Sequence, residues 1–257
     1  MCRRLLTLAA LCSSWICAQP NTLSEDEKRA GWTLLFDGRS FTGWRDPAQM
    51  NPPGDGWNID EGALHTKPNP HHKDDLISQQ LYGDFELSFE FRVGPGANGG
   101  VKYLIQRWFC MASDASLPFG PTTPNRQTQR SDLRPGEKMA CNELGLEYQI
   151  LDDDRHSDGR TPNKRTGSVY GMVAPVNAKV KPVGDWNSGR ILVRGNHVEH
   201  WLNGERVATA DLASREIAER LRGGGKADGY WQRSCPVALQ HHNEPLWYRS
   251  LKLHRLE

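Results

Sequence analysis

The residue types and spacing best suited to chemistry lie in Gly145–Asp154. There Glu147 and Gln149 fall on one face of a period-two pattern, and Leu146, Tyr148 and Ile150 fall on the other. A carboxylate beside an amide on a sheet face can hold a polar ligand, with a sugar as the leading expectation. A solvated outer face explains the same pattern without any ligand, and both readings stay open. Other strand-like runs offer partners for a shared face: Lys102 in Val101–Gln106, His200 in Val198–Gly204, and Gln240 with His242 near the end of the chain. Alternation places Gln240 and His242 on one side of their segment. His200 and Trp201 point opposite ways, so only one can face a ligand, and His200 is the expectation.

Two groupings bear on metals. Asp152, Asp154, His156 and Asp158-Gly159 have the outline of a calcium loop, but Asn163 stands where such a loop ends on a bidentate glutamate, and a solvated turn competes. The pairs His71-His72 and His241-His242 are the elements of a transition-metal site. A divalent metal is therefore an open option, and no cofactor is demanded. Nothing has the cysteine spacing of a zinc site.

These residues need a scaffold, and the composition describes one. The chain has 257 residues, with nine Trp, 25 Gly and 16 Pro, and a mean hydropathy of −0.68. That is a turn-rich profile, and the length suits one large β-domain. Lys and Arg number 32 against 31 Asp and Glu, with no sustained basic run, so nucleic acid and anionic membranes are not expected partners. Asp84–Val93 sets Phe85, Leu87, Phe89, Phe91 and Val93 against Glu86, Ser88, Glu90 and Arg92, as a strand with one buried face does.

Similar short runs recur at Trp32–Phe36, Val101–Gln106, Gly145–Leu151, Gly167–Met172, Trp186–Gly204 and Leu246–Leu253. Hairpins are expected at Glu61-Gly62, Gly195-Asn196 and Asn203-Gly204, and a Gly-rich turn at Gly94–Gly100. Thr22–Ala30, with a Ser24/Glu27 capping box, and Ser214–Leu221 are the helical candidates. The expected fold is all-β: a two-sheet antiparallel jelly-roll sandwich with one or two short peripheral helices.

Residues 1–18 read as a secretory signal peptide: Arg3-Arg4, an apolar run from Leu5 to Leu11, and small residues before a cut after Ala18. The apolar run is too short to span a bilayer, so no transmembrane segment is expected after its removal. Leu11 and Ile16 precede Cys12 and Cys17 where a lipoprotein needs a small residue, which disfavours that alternative. A secreted or periplasmic domain over 19–257 is expected, with its core at about 30–257. Export permits disulfides. Cys110 and Cys141 bracket a Pro-, Ser- and Arg-rich segment, 107–142, read as a long loop that their disulfide closes, leaving Cys235 as a buried thiol.

Several motifs in order resemble one family. Gly31–Gly38, Asp84–Leu87, Asn98–Tyr103, Gly145–Asp152, Val198–Gly204, Leu239-Gln240 and Trp247–Arg249 together are similar to the 3-keto-disaccharide hydrolase domain family, from about Ala30 to Glu257. Two departures stand out. The usual Asn-Ser-Gly reads Asn98-Gly99-Gly100, a change in turn chemistry. The usual Asp-His-Gly reads His241-His242-Asn243, which removes a carboxylate. The resemblance implies a concanavalin-like jelly roll acting on glycosides whose glucose ring carries a ketone at C3. Such a ketone acidifies the C2 proton, so the glycosidic bond can break by proton abstraction, loss of the C1 substituent and addition of water. On that chemistry Glu147 is the candidate base, Lys102 the stabiliser of the enolate oxygen, His242 the acid or an alternative base, and Tyr170 a donor to the leaving group. Gln149, His200 and Gln240 would bind the substrate, a glycoside or oligosaccharide. A non-catalytic carbohydrate-binding module is the alternative, because the same sandwich serves both.

Overall fold

The computed structural model describes residues 19–47, 53–70, 72–116, 125–128, 130–217, 219 and 233–256. The signal-peptide segment 1–18 and His71 lie outside these, as do residues 218, 220 and 221 of the second helical candidate, which is helical at 215–217 and 219. The first third of the chain holds the short helix α1 (Glu25–Arg29), then strands β1 (Trp32–Leu34), β2 (Trp44–Arg45), β3 (Trp57–Asp60), β4 (Ala63–Thr66), β5 (His72–Lys73), β6 (Leu76–Ser78) and β7 (Phe85–Val93). The middle contributes β8 (Asn98–Asp114), β9 (Asn125–Gln127) and β10 (Glu137–Leu151). The last part contributes β11 (Trp186–Arg194), β12 (His197–Leu202), β13 (Glu205–Asp211), β14 (Ala238–Leu239) and β15 (Leu246–Arg255).

They form two sheets. The first runs β13-β12-β11-β7-β15-β4-β3, with β1 also on β15; the second runs β2-β6-β14-β8-β10-β5, with β9 on β8. Pairing is antiparallel except for β5 on β10. The fold is an all-β antiparallel sandwich of the expected kind.

Local sequence explains most elements. Ser24 Oγ accepts the Glu27 N–H while the Glu27 side chain accepts the Ser24 N–H, a reciprocal cap that starts α1. Glu61 and Gly62 both take positive φ, 47° and 74°, so the β3–β4 hairpin turns where the sequence places it. On β7 the alternation is complete: Phe85, Leu87, Phe89, Phe91 and Val93 are buried between the sheets. Each such side chain contributes roughly 1.5–3 kcal/mol on burial. Leu146, Tyr148 and Ile150 of β10 meet them from the other sheet, with Tyr148 edge-on to Phe89 at 5.3 Å between ring centroids.

Three expectations need correction. Gly99 and Gly100 are not a turn: they lie inside β8, paired with Ile150 and Gln149. The segment 107–142 is not one long loop either, because β8 runs on to Asp114 and β10 starts at Glu137. Cys110 and Cys141 sit directly opposite one another on these strands, joined by a disulfide. The extension escaped notice because its strands lack the apolar alternation of a core face. Finally, Gly167–Met172 forms no strand; it carries only isolated bridges, Tyr148 to Val169 and Val169 to Val173.

Candidate functional site

The outer face of the second sheet gathers the chemistry. β8 and β10 pair so that Glu147 stands directly opposite Lys102. Gly100, a neighbour on that face, must lack a side chain, because a Cβ there would run into Glu147. Lys102 Nζ donates to Asp75 Oδ2 at 2.7 Å and to Glu143 Oε2 at 3.3 Å. Asp75 lies between β5 and β6, and its other oxygen accepts the His241 N–H at 2.9 Å. Glu143 lies on β10, four residues before Glu147 and so on the same face by alternation.

All four groups are buried. Burial opposes the charge on Lys102, but Asp75, then Glu143 and Glu147, more than offset it and hold the ammonium protonated. Burial likewise opposes the Asp75 carboxylate, yet Lys102 beside it keeps the acid below its usual range. Glu143 goes the other way. Burial first, and then the negative charge of Asp75, raise it well above an ordinary glutamate.

From Glu147 the polar strip continues along the strands. Gln149 Nε2 donates to Asn98 Oδ1 at 2.9 Å, and Asn98 approaches His156 Nε2 at 3.4 Å. The His156 ring in turn lies edge-on to His242, with centroids 6.0 Å apart. Gln240 reaches the strip through its N–H, donated to the Gly100 carbonyl at 2.9 Å. The side-chain oxygens Gln149 Oε1, Gln240 Oε1 and Glu143 Oε1 are buried without a hydrogen-bond partner. Orphaned acceptors of this kind are rare away from functional sites, and here three share one sheet face.

The structure thus brings Glu147, Lys102, Gln149, Gln240 and His242 to one face. It removes others. His200 is fully buried between the sheets, with Nε2 at 2.7 Å from the Tyr103 hydroxyl and Nδ1 at 3.1 Å from the carbonyls of Gly167 and Ser168. Burial, only partly offset by those carbonyls, pushes it down to about 4. It packs in the core, away from the outer face, while its neighbour Trp201 takes the other side of β12, its indole N–H donating to Glu199 and its ring lying under Arg190. Tyr170 sits beside Glu147, donating its N–H to the Glu147 carbonyl at 3.0 Å. Its hydroxyl donates to Asp158 at 2.8 Å.

The calcium outline also dissolves. Asp152 accepts the Gly96 N–H at 2.7 Å and braces a turn, Asp154 is exposed, and His156 Nδ1 accepts the Asp158 N–H at 3.2 Å. Among the described residues no group of three or more His, Cys, Asp or Glu side chains is placed to hold a metal ion. His241 points away from His242: its ring packs against Trp57 and its Nε2 lies 3.0 Å from the Lys67 carbonyl. A separate cleft of about 710 Å³, lined by Asp152–Arg155, Arg165 and Val180–Val183, contains neither Glu147 nor Lys102.

A model of the 3-keto-alpha-glucoside-1,2-lyase-like domain matches residues 31–254. The chain belongs to this family. A 3-keto-disaccharide hydrolase from Bacteroides thetaiotaomicron is 25% identical over 249 residues, covering 88% of this chain and 79% of that protein. A crystal structure of a "putative glycosyl hydrolase" from Parabacteroides distasonis is 25% identical, with a TM-score of 0.72 over 93% of this chain and 100% of that one. A second from the same organism, 21% identical, covers 88% of this chain and 99% of its own with a TM-score of 0.59, and shares the fold.

Within this lyase-like domain, Asp75 and Glu143 are the site residues that sequence reasoning missed. Glu143 was within reach. Carrying the alternation of Glu147 and Gln149 back past Gly145 puts it on their face, provided the strand is not started at Gly145. Asp75 had no such signal, because it lies between β5 and β6 and reaches Lys102 only through the insertion of β14, a strand from far along the chain, between β6 and β8.

Proposed function

We propose that this chain cleaves glycosides of a 3-keto-glucosyl unit by abstraction of the C2 proton, expulsion of the C1 substituent and hydration. The observation that carries this reading is the Glu147–Lys102 pair: a carboxylate and a buried, permanently charged ammonium directly opposed on neighbouring strands. The names of the family and of the Bacteroides relative support the same chemistry.

In this reading Glu147 takes the C2 proton. Two of the three Lys102 N–H groups go to Asp75 and Glu143, and the third meets the oxygen on which the enolate charge gathers. The electron pair from the C2–H bond becomes the C1–C2 double bond as the C1–O bond breaks, and His242 supplies the proton for the departing oxygen. Water then adds at C1 and a proton returns to C2. Gln149 and Gln240 offer their unpartnered oxygens to sugar hydroxyls.

Incubation with a 3-keto-glucoside carrying an aryl group tests this: aglycone release is expected, and none from the unoxidised glucoside. Tight calorimetric binding of oligosaccharides with no turnover of the keto-sugar would favour a binding module instead. We further propose that the protein is exported, supported by the character of residues 1–18 and by a cross-strand disulfide that an oxidising compartment maintains.

A further inference from the structure

We propose that Glu143 is a positioning residue held as the neutral acid, so that of the two carboxyls bonded to the buried Lys102 ammonium only Asp75 carries a charge. The inference rests on the reading above for its catalytic meaning, though not for the protonation state. Its basis is geometric. Asp75 and Glu143 both approach the same ammonium, at 2.7 and 3.3 Å, and Glu143 Oε1 is buried with no donor to meet it. Two buried carboxyls on one ammonium repel each other when both are ionised, and a buried carboxylate oxygen without a donor favours the protonated form. The Glu143 side chain is fully shielded from solvent, whereas Asp75 has both oxygens engaged, by Lys102 and by the His241 N–H. The proton therefore resides on Glu143. Burial and the charge of Asp75 push this acid in the same direction.

The charged groups facing the pair come from several strands: Lys102 on β8, Glu147 on β10, and Lys73 on β5 with Glu244 and Lys138 further out. With Glu143 neutral, the nucleus of Lys102, Asp75 and Glu147 carries a single negative charge before reaction. Transfer of the C2 proton to Glu147 moves that charge onto the enolate and leaves the total unchanged. An ionised Glu143 would put a second buried negative charge next to the developing enolate, opposing its formation.

The test uses the whole chain with glutamate side-chain carboxyls labelled with carbon-13. The resonance that disappears in E143Q is expected to have the shift of a protonated carboxyl at pH 7; a carboxylate shift at that position overturns the inference. A rescue series gives a second readout. Glutamine is the isostere of a neutral glutamic acid, so kcat of E143Q on the 3-keto-glucoside is expected to exceed that of E143A by about tenfold or more, with KM little altered. Thermal unfolding at pH 7 is expected to put E143Q well above E143A. An E143Q protein no more stable than E143A would also overturn it. A protonated resonance in a protein that turns over no keto-sugar would retire the proposed reaction while leaving the protonation state standing.

Discussion

The two sheets present contrasting polar surfaces on the sides they turn away from the core. On the first, β4, β15, β7, β11 and β12 carry a ladder of indoles and guanidiniums. The His65 ring stacks on Trp247 at 4.4 Å, Arg92 lies over Trp247 at 4.3 Å, Arg249 over Trp186 at 3.9 Å and Arg190 over Trp201 at 4.1 Å. Carboxylates from the same face complete it, Glu86 to Arg190 and Glu90 to Arg249, each at 2.9 Å. The buried His65 Nε2, Arg92 Nε and Arg190 Nε lack an oxygen partner, but they belong to cationic or aromatic groups lying against indole rings. The second face pairs its polar groups differently. Lys102, Asp75 and Glu143 are buried together, and the orphaned atoms are acceptor oxygens with no ring beneath them. The first face leaves ring and guanidinium nitrogens against aromatic surfaces; the second buries charge and leaves acceptor oxygens open, and so gains a partner when a polyhydroxylated molecule binds.

Glu147→Gln should break the second face as a catalyst while leaving the fold intact. We expect kcat to fall by about 10²–10⁴-fold, with thermal unfolding close to that of the wild type. Turnover close to wild type would remove Glu147 as the base. Lys102→Met should be the most destabilising change on either face, at roughly 3–5 kcal/mol, because it strands Asp75 in a buried site without its counter-charge. Urea unfolding measures this, and a loss below about 1 kcal/mol would show that the cluster is better solvated than its burial indicates.

Between the two faces lies His200, whose contribution depends on pH. Its folded pKa of about 4 lies below its ordinary 6.5, so the unfolded chain takes up the proton first as the solution is acidified. Stability from this group is complete above about 6.5 and is lost as pH falls towards 4, about 3 kcal/mol in all. Denaturation midpoints between pH 7 and 4.5 should therefore fall more steeply in the wild type than in His200→Gln, and equal slopes would contradict the assignment.

Gln240→Met keeps the volume and removes an unpartnered amide oxygen. Stability should hold or rise by up to about 1 kcal/mol while KM for the keto-sugar increases about tenfold. A loss of stability with KM unchanged would give that oxygen a structural role. The smallest effect is expected on the first face. Arg190→Ala should cost about 1 kcal/mol or less, split between its Glu86 ion pair and its contact with Trp201, and should not alter turnover. A strong loss of activity there would erase the distinction between the faces.

Much of the site was legible because strand alternation is a local property. Glu147, Gln149 and Lys102 stand on a common face as their spacing requires, and Gln240 with His242 joins them. His200 misled because alternation says that two neighbours part ways without saying which goes inward, and Tyr103 with the Gly167 and Ser168 carbonyls claims the histidine for the core. Asp152 misled because a carboxylate at the end of a strand serves a backbone N–H as readily as a cation.

The sequence by itself determined the class of fold, the family, the strand positions with apolar alternation, and the face that Glu147 occupies. These follow from side-chain period and turn residues acting over a few positions. Only the tertiary structure decided that Asp75 and Glu143 join Lys102, that β8 and β10 run on past the cysteines, and that His200 is core. Those outcomes depend on which strands become neighbours in a sheet, and β6 meets β8 only through β14, about 160 residues further along the chain. Order in sequence carries no trace of that adjacency, because hydrogen bonding between strands is set by burial of the whole core.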